Sequence, residues 1–361
     1  MSTSHYRTGV ANLPLHGGKA PVWLFNRMRR LAREITIAVI TEFDSATMLA
    51  RISDPYWFQA FGCVLGFDWH SSGVTTTVCG ALKEGIKDIQ PELGFYIAGG
   101  KGAAARKTPQ EIEGAGKYLR IEPYLLVTAS RMSAKVDNSA LQDGYSLYHH
   151  SFFFTADGSW SVVQQGMNEE NRYARRYHWC GDDVRDFVCE PHSAICAQAQ
   201  GRALNFVAGE SGSARDIIAR IAAEERPEKL VRELEHIKTV GLPVRHHIKA
   251  EDIHPARLKS IFLSTYEHKP DSFRTLLEIE GVGAKTLRAL SLISELVYDT
   301  PVSLRDPARY SFAHGGKDGY PYPVDRDTYD KSIEVLHTAL KRTRLGDTEK
   351  MAAFQRLRKW Q

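Results

Sequence analysis

SLYHHSFFFTADGSWSVVQQGM, residues 146–167, decides the fold. The runs 146–155 and 160–167 are aromatic and β-branched, and Ala-Asp-Gly-Ser between them supplies turn chemistry. The pattern predicts a β-hairpin. Strand residues alternate between faces, so His149 travels with Ser151 and Phe153, and His150 with Tyr148 and Phe152. Upstream, LGFYIA (93–98) reads as a strand ending at Gly99-Gly100, and YLLVTAS (124–130) is a second candidate strand. Residues 20–66 read as helices. Trp23, Leu24, Met28 and Leu31 share one face, and SDPYWFQAFGCVLGF has a Ser-Asp cap, a first-turn Pro55 and an apolar character that predicts burial. From about residue 205 the pattern is helical throughout, with a break near Pro227. The expected class is α+β: a mixed domain over 1–204 carrying the sheet, then an all-helical domain over 205–361.

The 361 residues suffice for two domains, and 43% hydrophobic with 25% charged residues fits a globular protein. No apolar run is long enough to span a membrane, and MSTSHYRTGVANLPLHGG lacks the core of a secretory signal, so a cytosolic location and no membrane partner are expected. Five cysteines form no CxxC pair, which argues against a zinc ribbon; buried thiols are expected, with Cys189, His192 and Cys196 the one spacing open to a metal. The net charge of +4 lies entirely after residue 200, and KRTRLGDTEKMAAFQRLRKWQ at the end is strongly basic, as a polyanion-binding helix or a solvated one would be.

LLEIEGVGAKTLRAL (276–290) places two glycines between apolar helices, the first expected from Ser272 to Ile279 with Asp271 as its cap and the second from Thr286 to Val297. Glycines allow positive φ and close approach of a phosphate to bare helix-terminal amides. The stretch resembles the helix-hairpin-helix motif (here 272–297) of DNA repair and replication proteins: Leu276, Gly281, Val282, Gly283, Thr286, Ala289 and Leu290 stand at its hydrophobic, glycine and small positions. The resemblance implies DNA, held by its backbone phosphates, as partner. It makes Gly281, Val282, Gly283, Lys285 and Thr286 the contacts, and a monovalent cation at the hairpin carbonyls possible. Base-excision glycosylases of the same superfamily carry a nucleophilic Lys two residues after the second glycine and an Asp in a Pro-Val-Asp context. Lys285 and Asp325 match those positions, although their 40-residue separation and the insert SFAHGGKDGYPYP depart from that pattern.

Dense polar stretches mark the first domain. FDWHSSGVTTTVCGALKEG (67–85) brings Asp68 and His70 before a Ser/Thr-rich helix start. AGGKGAAARKT (98–108) is a basic loop offering Lys101 and Arg106 to phosphates, without a Walker A spacing. SRMSAKVDNSALQDGYSLYHHSFFF (130–154) gathers Lys135, Asp137, Asp143 and His149. Two carboxylates and a His can bind a divalent metal, Mg²⁺ or Mn²⁺, and position a water for phosphodiester hydrolysis. Gln164 and Gln165 fall in the neighbouring strand, and Arg172, Arg175 and Arg176 are placed to meet backbone phosphates. Together with RTGVANLPLHGGKAP (7–21) and FAHGGKDGYPYPVDRDTYD (312–330), the stretches 67–85 and 130–154 resemble a family of bacteria and archaea catalogued as a domain of unknown function, which implies no particular chemistry.

The expected function is a DNA-binding enzyme of repair or processing that cleaves phosphodiesters with metal assistance. Asp137, Asp143, His149, Lys135, Asp68 and His70 are the catalytic set, and Asp137, Asp143 and His149 the metal ligands. A glycosylase/AP lyase using Lys285 and Asp325, and a non-enzymatic structure-specific DNA-binding protein, are the alternatives.

Overall fold

The computed structural model describes residues 20–67, 72–197, 200–240, 253–308 and 326–358. The expectations placed on Asp68, His70 and Asp325 lie outside the described residues. Helices α1 (Val22–Glu42), α2 (Ser45–Ser53), α3 (Pro55–Leu65), α4 (Gly73–Ile86) and the single turn α5 (Gln90–Leu93) precede strand β1 (Phe95–Lys101). After α6 (Thr108–Gly114) and α7 (Pro123–Lys135) come β2 (Leu141–Gln142), β3 (Ser146–Thr155), β4 (Trp160–Asn168), β5 (Tyr173–Cys180), β6 (Ala194–Cys196) and β7 (Arg202–Asn205). Helices α8 (Gly212–Glu224), α9 (Pro227–Val240), α10 (Pro255–His268), α11 (Phe273–Glu278) and α12 (Ala284–Tyr298) follow, then β8 (Ser303–Arg305), α13 (Arg326–Arg342) and α14 (Asp347–Arg358).

The hairpin forms as expected. β3 and β4 pair antiparallel with Phe152 opposite Val162, and the turn closes through Thr155 N donating to Ser159 O with Gly158 at φ +98°. They are the middle of an antiparallel sheet ordered β1-β3-β4-β5-β6; a second, three-stranded sheet runs β2-β7-β8. Asp54 caps α3, accepting from the Tyr56 and Trp57 amides. The 124–130 stretch is not a strand but the body of α7. Pro123 opens that helix, and its buried residues Leu126, Val127, Ser130 and Ser133 recur at helical spacing, which overrides the β-branched and aromatic composition. On α1, Trp23 is 61% exposed while Met28, Leu31 and Ile35 face the core.

Strand alternation divides the central sheet between two cores. Tyr96, Ala98, Phe152, Phe154, Val162 and Trp179 pack with α7–α12. Phe95, Ile97, Phe153 and Val163 pack on the other face with α1–α4, α13 and α14. The molecule is therefore α+β, with helices on both faces of an antiparallel sheet. The helices after residue 205 share these cores with strands before it, and β8 adds a strand to that half. The basic C-terminal helix α14 docks on the α1–α4 face, where Arg356 Nε donates to Val64 O at 2.8 Å. No helix among the described residues is long and apolar enough to cross a membrane.

Candidate active site

A cleft of about 910 Å³ opens on the α7 face of the sheet. It is bounded by the 3₁₀ turn Gly102–Lys107 and the start of α6, by α7, by the start of β3 and by Leu277 and Glu278 at the end of α11. Gly99, at φ +85°, lets β1 run close beside β3 here; a Cβ would strike the His150 carbonyl. Arg106 and Arg131 are exposed at its rim, and Lys135 is half-buried. Burial holds the Lys135 amine below the ordinary lysine range, with Glu280 opposing the shift. Its Nζ donates to the Ile279 carbonyl at 3.5 Å.

The floor of the cleft holds Ser130 and His150. Ser130 Oγ and His150 Nε2 are 2.8 Å apart, and His150 Nδ1 lies 2.8 Å from Gln164 Oε1. Gln164 Nε2 donates to Asp137 at 2.5 Å. Asp137 comes inward because α7 runs into a π-helical turn, Val136–Ala140, that buries its carboxylate beneath β4 and β5. There it also accepts from Trp179 Nε1 at 3.0 Å and from His192 Nε2. Burial lowers the pKa of His150, partly offset by Gln164 and Asp137, so the imidazole is neutral at pH 7.

The structure does not bring Asp137, Asp143 and His149 together. Asp143 is held by Arg175 at 2.9 Å and Tyr177 at 2.7 Å, and Arg175 also grips Asp306 with both terminal nitrogens. Burial raises the Asp143 carboxyl, against the pull of Arg175. His149 leaves β3 on the opposite face from His150, with Nε2 3.0 Å from Ser151 Oγ and Nδ1 without a partner. Burial pushes its pKa down to about 3, and neighbouring His150 and Lys101 push the same way. No group of three or more His, Cys, Asp or Glu able to hold a metal ion occurs among the described residues. Close spacing in sequence misleads here because the π-turn, the β2 edge and the strand alternation send the three side chains in three directions.

Other expectations resolve individually. A bulge between Leu147 and His149 turns the Tyr148 hydroxyl to Gln165, on the His149 side rather than with His150. Arg175 and Arg176 are buried in β5, a strand covered on both faces, and do not reach the surface. Lys101 is exposed, its amine 5.7 Å from the Tyr148 ring centroid. None of the five cysteines is in a disulfide.

The glycine turn lies beside the cleft. Ser272, not Asp271, caps α11, in a capping box with Thr275; Asp271 instead accepts from Thr275 Oγ1 at 2.8 Å. Gly281 has φ +84°, a conformation that favours glycine, whereas Gly283 at φ −141° is open to any residue. α12 starts at Ala284, two residues earlier than expected, and no side chain caps it. Val282 and Thr286 are buried, and Lys285 is exposed. Gln142 fastens the turn to β2, donating to Ala284 O at 3.0 Å and accepting from Arg288 Nε at 2.9 Å. Ser130, Trp179 and Asp306 carried no expectation. The signal for Ser130 is a polar side chain on the buried face of an amphipathic helix; Trp179 and Asp306 join through tertiary contacts that no local pattern carries.

No curated protein and no solved structure matches this chain. A family model described as "Protein of unknown function (DUF763)" matches residues 9–324, and the chain belongs to that family.

Proposed function

We propose that the chain is a DNA-processing enzyme that holds backbone phosphates at the glycine turn and cleaves phosphodiesters in the adjoining cleft. One juxtaposition supports this reading. The helix leading into the Gly281 turn supplies a wall, through Leu277 and Glu278, of the same cleft that has Arg106, Arg131 and Lys135 around it and His150 in its floor. The uncapped start of α12 offers backbone N–H groups and the positive end of a helix dipole to an anion. Rim arginines pair bidentately with phosphate oxygens. The helix-hairpin-helix resemblance of 272–297 belongs to this proposal. So does assistance by Mg²⁺ or Mn²⁺, for which the Asp137–Asp143–His149 set gives no common site.

The test is binding and cleavage of labelled plasmid and oligonucleotide DNA with Mg²⁺, Mn²⁺ or EDTA. Arg131→Ala is expected to weaken binding uniformly across sequences and to lower the slope of log K against log salt by about 1. Unchanged affinity and slope in both Arg131→Ala and Gly281→Asp would overturn the reading. Cleavage lost in EDTA assigns the metal. Borohydride trapping on abasic DNA, lost in Lys285→Ala, would replace hydrolysis by the lyase reaction. Binding with no strand cleavage on any substrate would leave a structure-specific DNA-binding protein.

A further inference from the structure

The hydrogen bonds in the cleft floor fix where its protons are. Gln164 directs its amide nitrogen at two pure acceptors, the Asp137 carboxylate at 2.5 Å and the Ser133 carbonyl at 3.3 Å. That fixes the amide orientation and turns Oε1 toward His150 Nδ1. An amide oxygen only accepts, so the ring proton sits on Nδ1 and Nε2 carries a lone pair. The lone pair faces Ser130 Oγ, and the hydroxyl donates to it. A serine inside a helix ordinarily bonds back to the preceding turn, as Ser133 does, donating to Ser130 O at 3.0 Å. Ser130 instead spends its proton on a neutral imidazole, at the bottom of a cleft that both residues line. A nucleophile, a base in the correct tautomer and an orienting group behind the base are the parts of a covalent hydrolytic site.

We propose that Ser130 is a catalytic nucleophile activated by His150, and that its substrate is a phosphodiester. The substrate class rests on the nucleic-acid reading above; the dyad rests on its own geometry. Ser130 Oγ attacks phosphorus while its proton passes to His150 Nε2. The P–O bond to the leaving strand breaks, and that oxygen takes the proton from Nε2. A water then attacks the phosphoseryl ester, its proton going to Nε2, and the P–Oγ bond breaks with the proton returned to Ser130. One phosphodiester and one water give one alcohol and one phosphomonoester. Arg106 and Arg131 are the cleft cations available to the non-bridging oxygens. Gln164 is a positioning residue that holds the His150 tautomer. Asp137, fixed by Trp179 and His192, holds Gln164 in turn.

The full chain, treated with a biotinylated fluorophosphonate and mapped by peptide mass, is expected to carry the adduct on Ser130. Ser130→Ala removes it. His150→Gln slows labelling by about 100-fold or more, the usual contribution of a general base, with the thermal transition retained. Gln164→Met slows labelling and moves the imidazole ¹⁵N shifts of His150 away from the Nδ1–H tautomer, which a space-filling role would not do. A folded wild-type protein with Ser130 unlabelled, or His150→Gln labelled at the wild-type rate, overturns the dyad. DNA affinity is measured on the same preparations. Labelling without DNA binding keeps the dyad and overturns the phosphodiester assignment, whereas DNA binding without labelling overturns the dyad and leaves the nucleic-acid reading standing.

Discussion

His149 gives the sharpest physical test, because its proton is worth a calculable amount of folding free energy. In the folded chain its pKa falls to about 3, chiefly from burial. In the unfolded chain it returns to the ordinary value of about 6.5. Between these values the unfolded state binds a proton that the native state refuses, so stability falls as pH falls, by about 1.4 kcal/mol per unit. At pH 5.0, about 1.5 units below the unfolded pKa, the loss from this residue is about 2 kcal/mol relative to pH 7.5. His150 and His178 are depressed by burial as well and add slope of the same sign. The useful quantity is therefore the difference between wild type and His149→Gln. Urea unfolding at both pH values, followed by tryptophan fluorescence, should show the wild type losing about 2 kcal/mol more than the variant. If the two pH profiles run parallel, His149 titrates normally, the buried description is wrong, and the imidazole returns as a candidate ligand or base.

Asp143→Ala removes one of the two carboxylates that hold the buried Arg175 guanidinium. It should cost about 3–5 kcal/mol in chemical denaturation; a stable variant that loses only metal-dependent cleavage would restore Asp143 as a ligand. Gly281→Ala forces a β-carbon to φ +84°, where an L-residue pays about 1–2 kcal/mol. Gly283→Ala, at an ordinary φ, should melt within a degree or two of wild type, and equal melting shifts for the pair would contradict the turn geometry. Burial pushes the Cys79 thiol up to about 12. In native protein at pH 8 it should therefore react with a disulfide reagent far more slowly than half-exposed Cys63; equal rates would show an open path to it.

The parts of this fold that sequence reveals are those governed by local period. The 146–167 hairpin was legible because its alternation is long and its turn has the right residues, and Asp54-Pro55 announced α3 because a capping carboxylate and a first-turn proline are local signals too. YLLVTAS misleads because Tyr, Val and Thr suit strands, yet burial at positions 126, 127, 130 and 133 follows the helix, and tertiary packing decides. Arg175 and Arg176 read as surface cations until β5 proves to be covered on both faces and their partners to come from elsewhere, Asp306 for Arg175 and Gln59 for Arg176. The site shows the same division. Polar density at 130–154 coincides with one wall of the cleft, but what those side chains can do depends on which face each one takes. Both His149 and His150 line the cleft, but His150, passed over in favour of its neighbour, is the one whose ring meets Ser130 and Gln164. Ser130 and Gln164 join it only once α7 lies across β3 and β4.

The π-helical turn Val136–Ala140 acts as a rigid gauge between two places where a polyanion would be felt. Immediately before it, Lys135 holds Ile279 in the glycine turn; two residues after it, Gln142 holds Ala284 and Arg288 at the start of α12. Within it, Asp137 is pinned by donors from β4, β5 and the loop carrying His192. Eight consecutive residues, 135–142, therefore link the start of α12 to the Asp137–Gln164–His150 hydrogen bonds. Under the proposed function, a strand seated at the turn would arrive at the cleft already in register, and lengthening this stretch by a single residue would put the two out of step while leaving each intact.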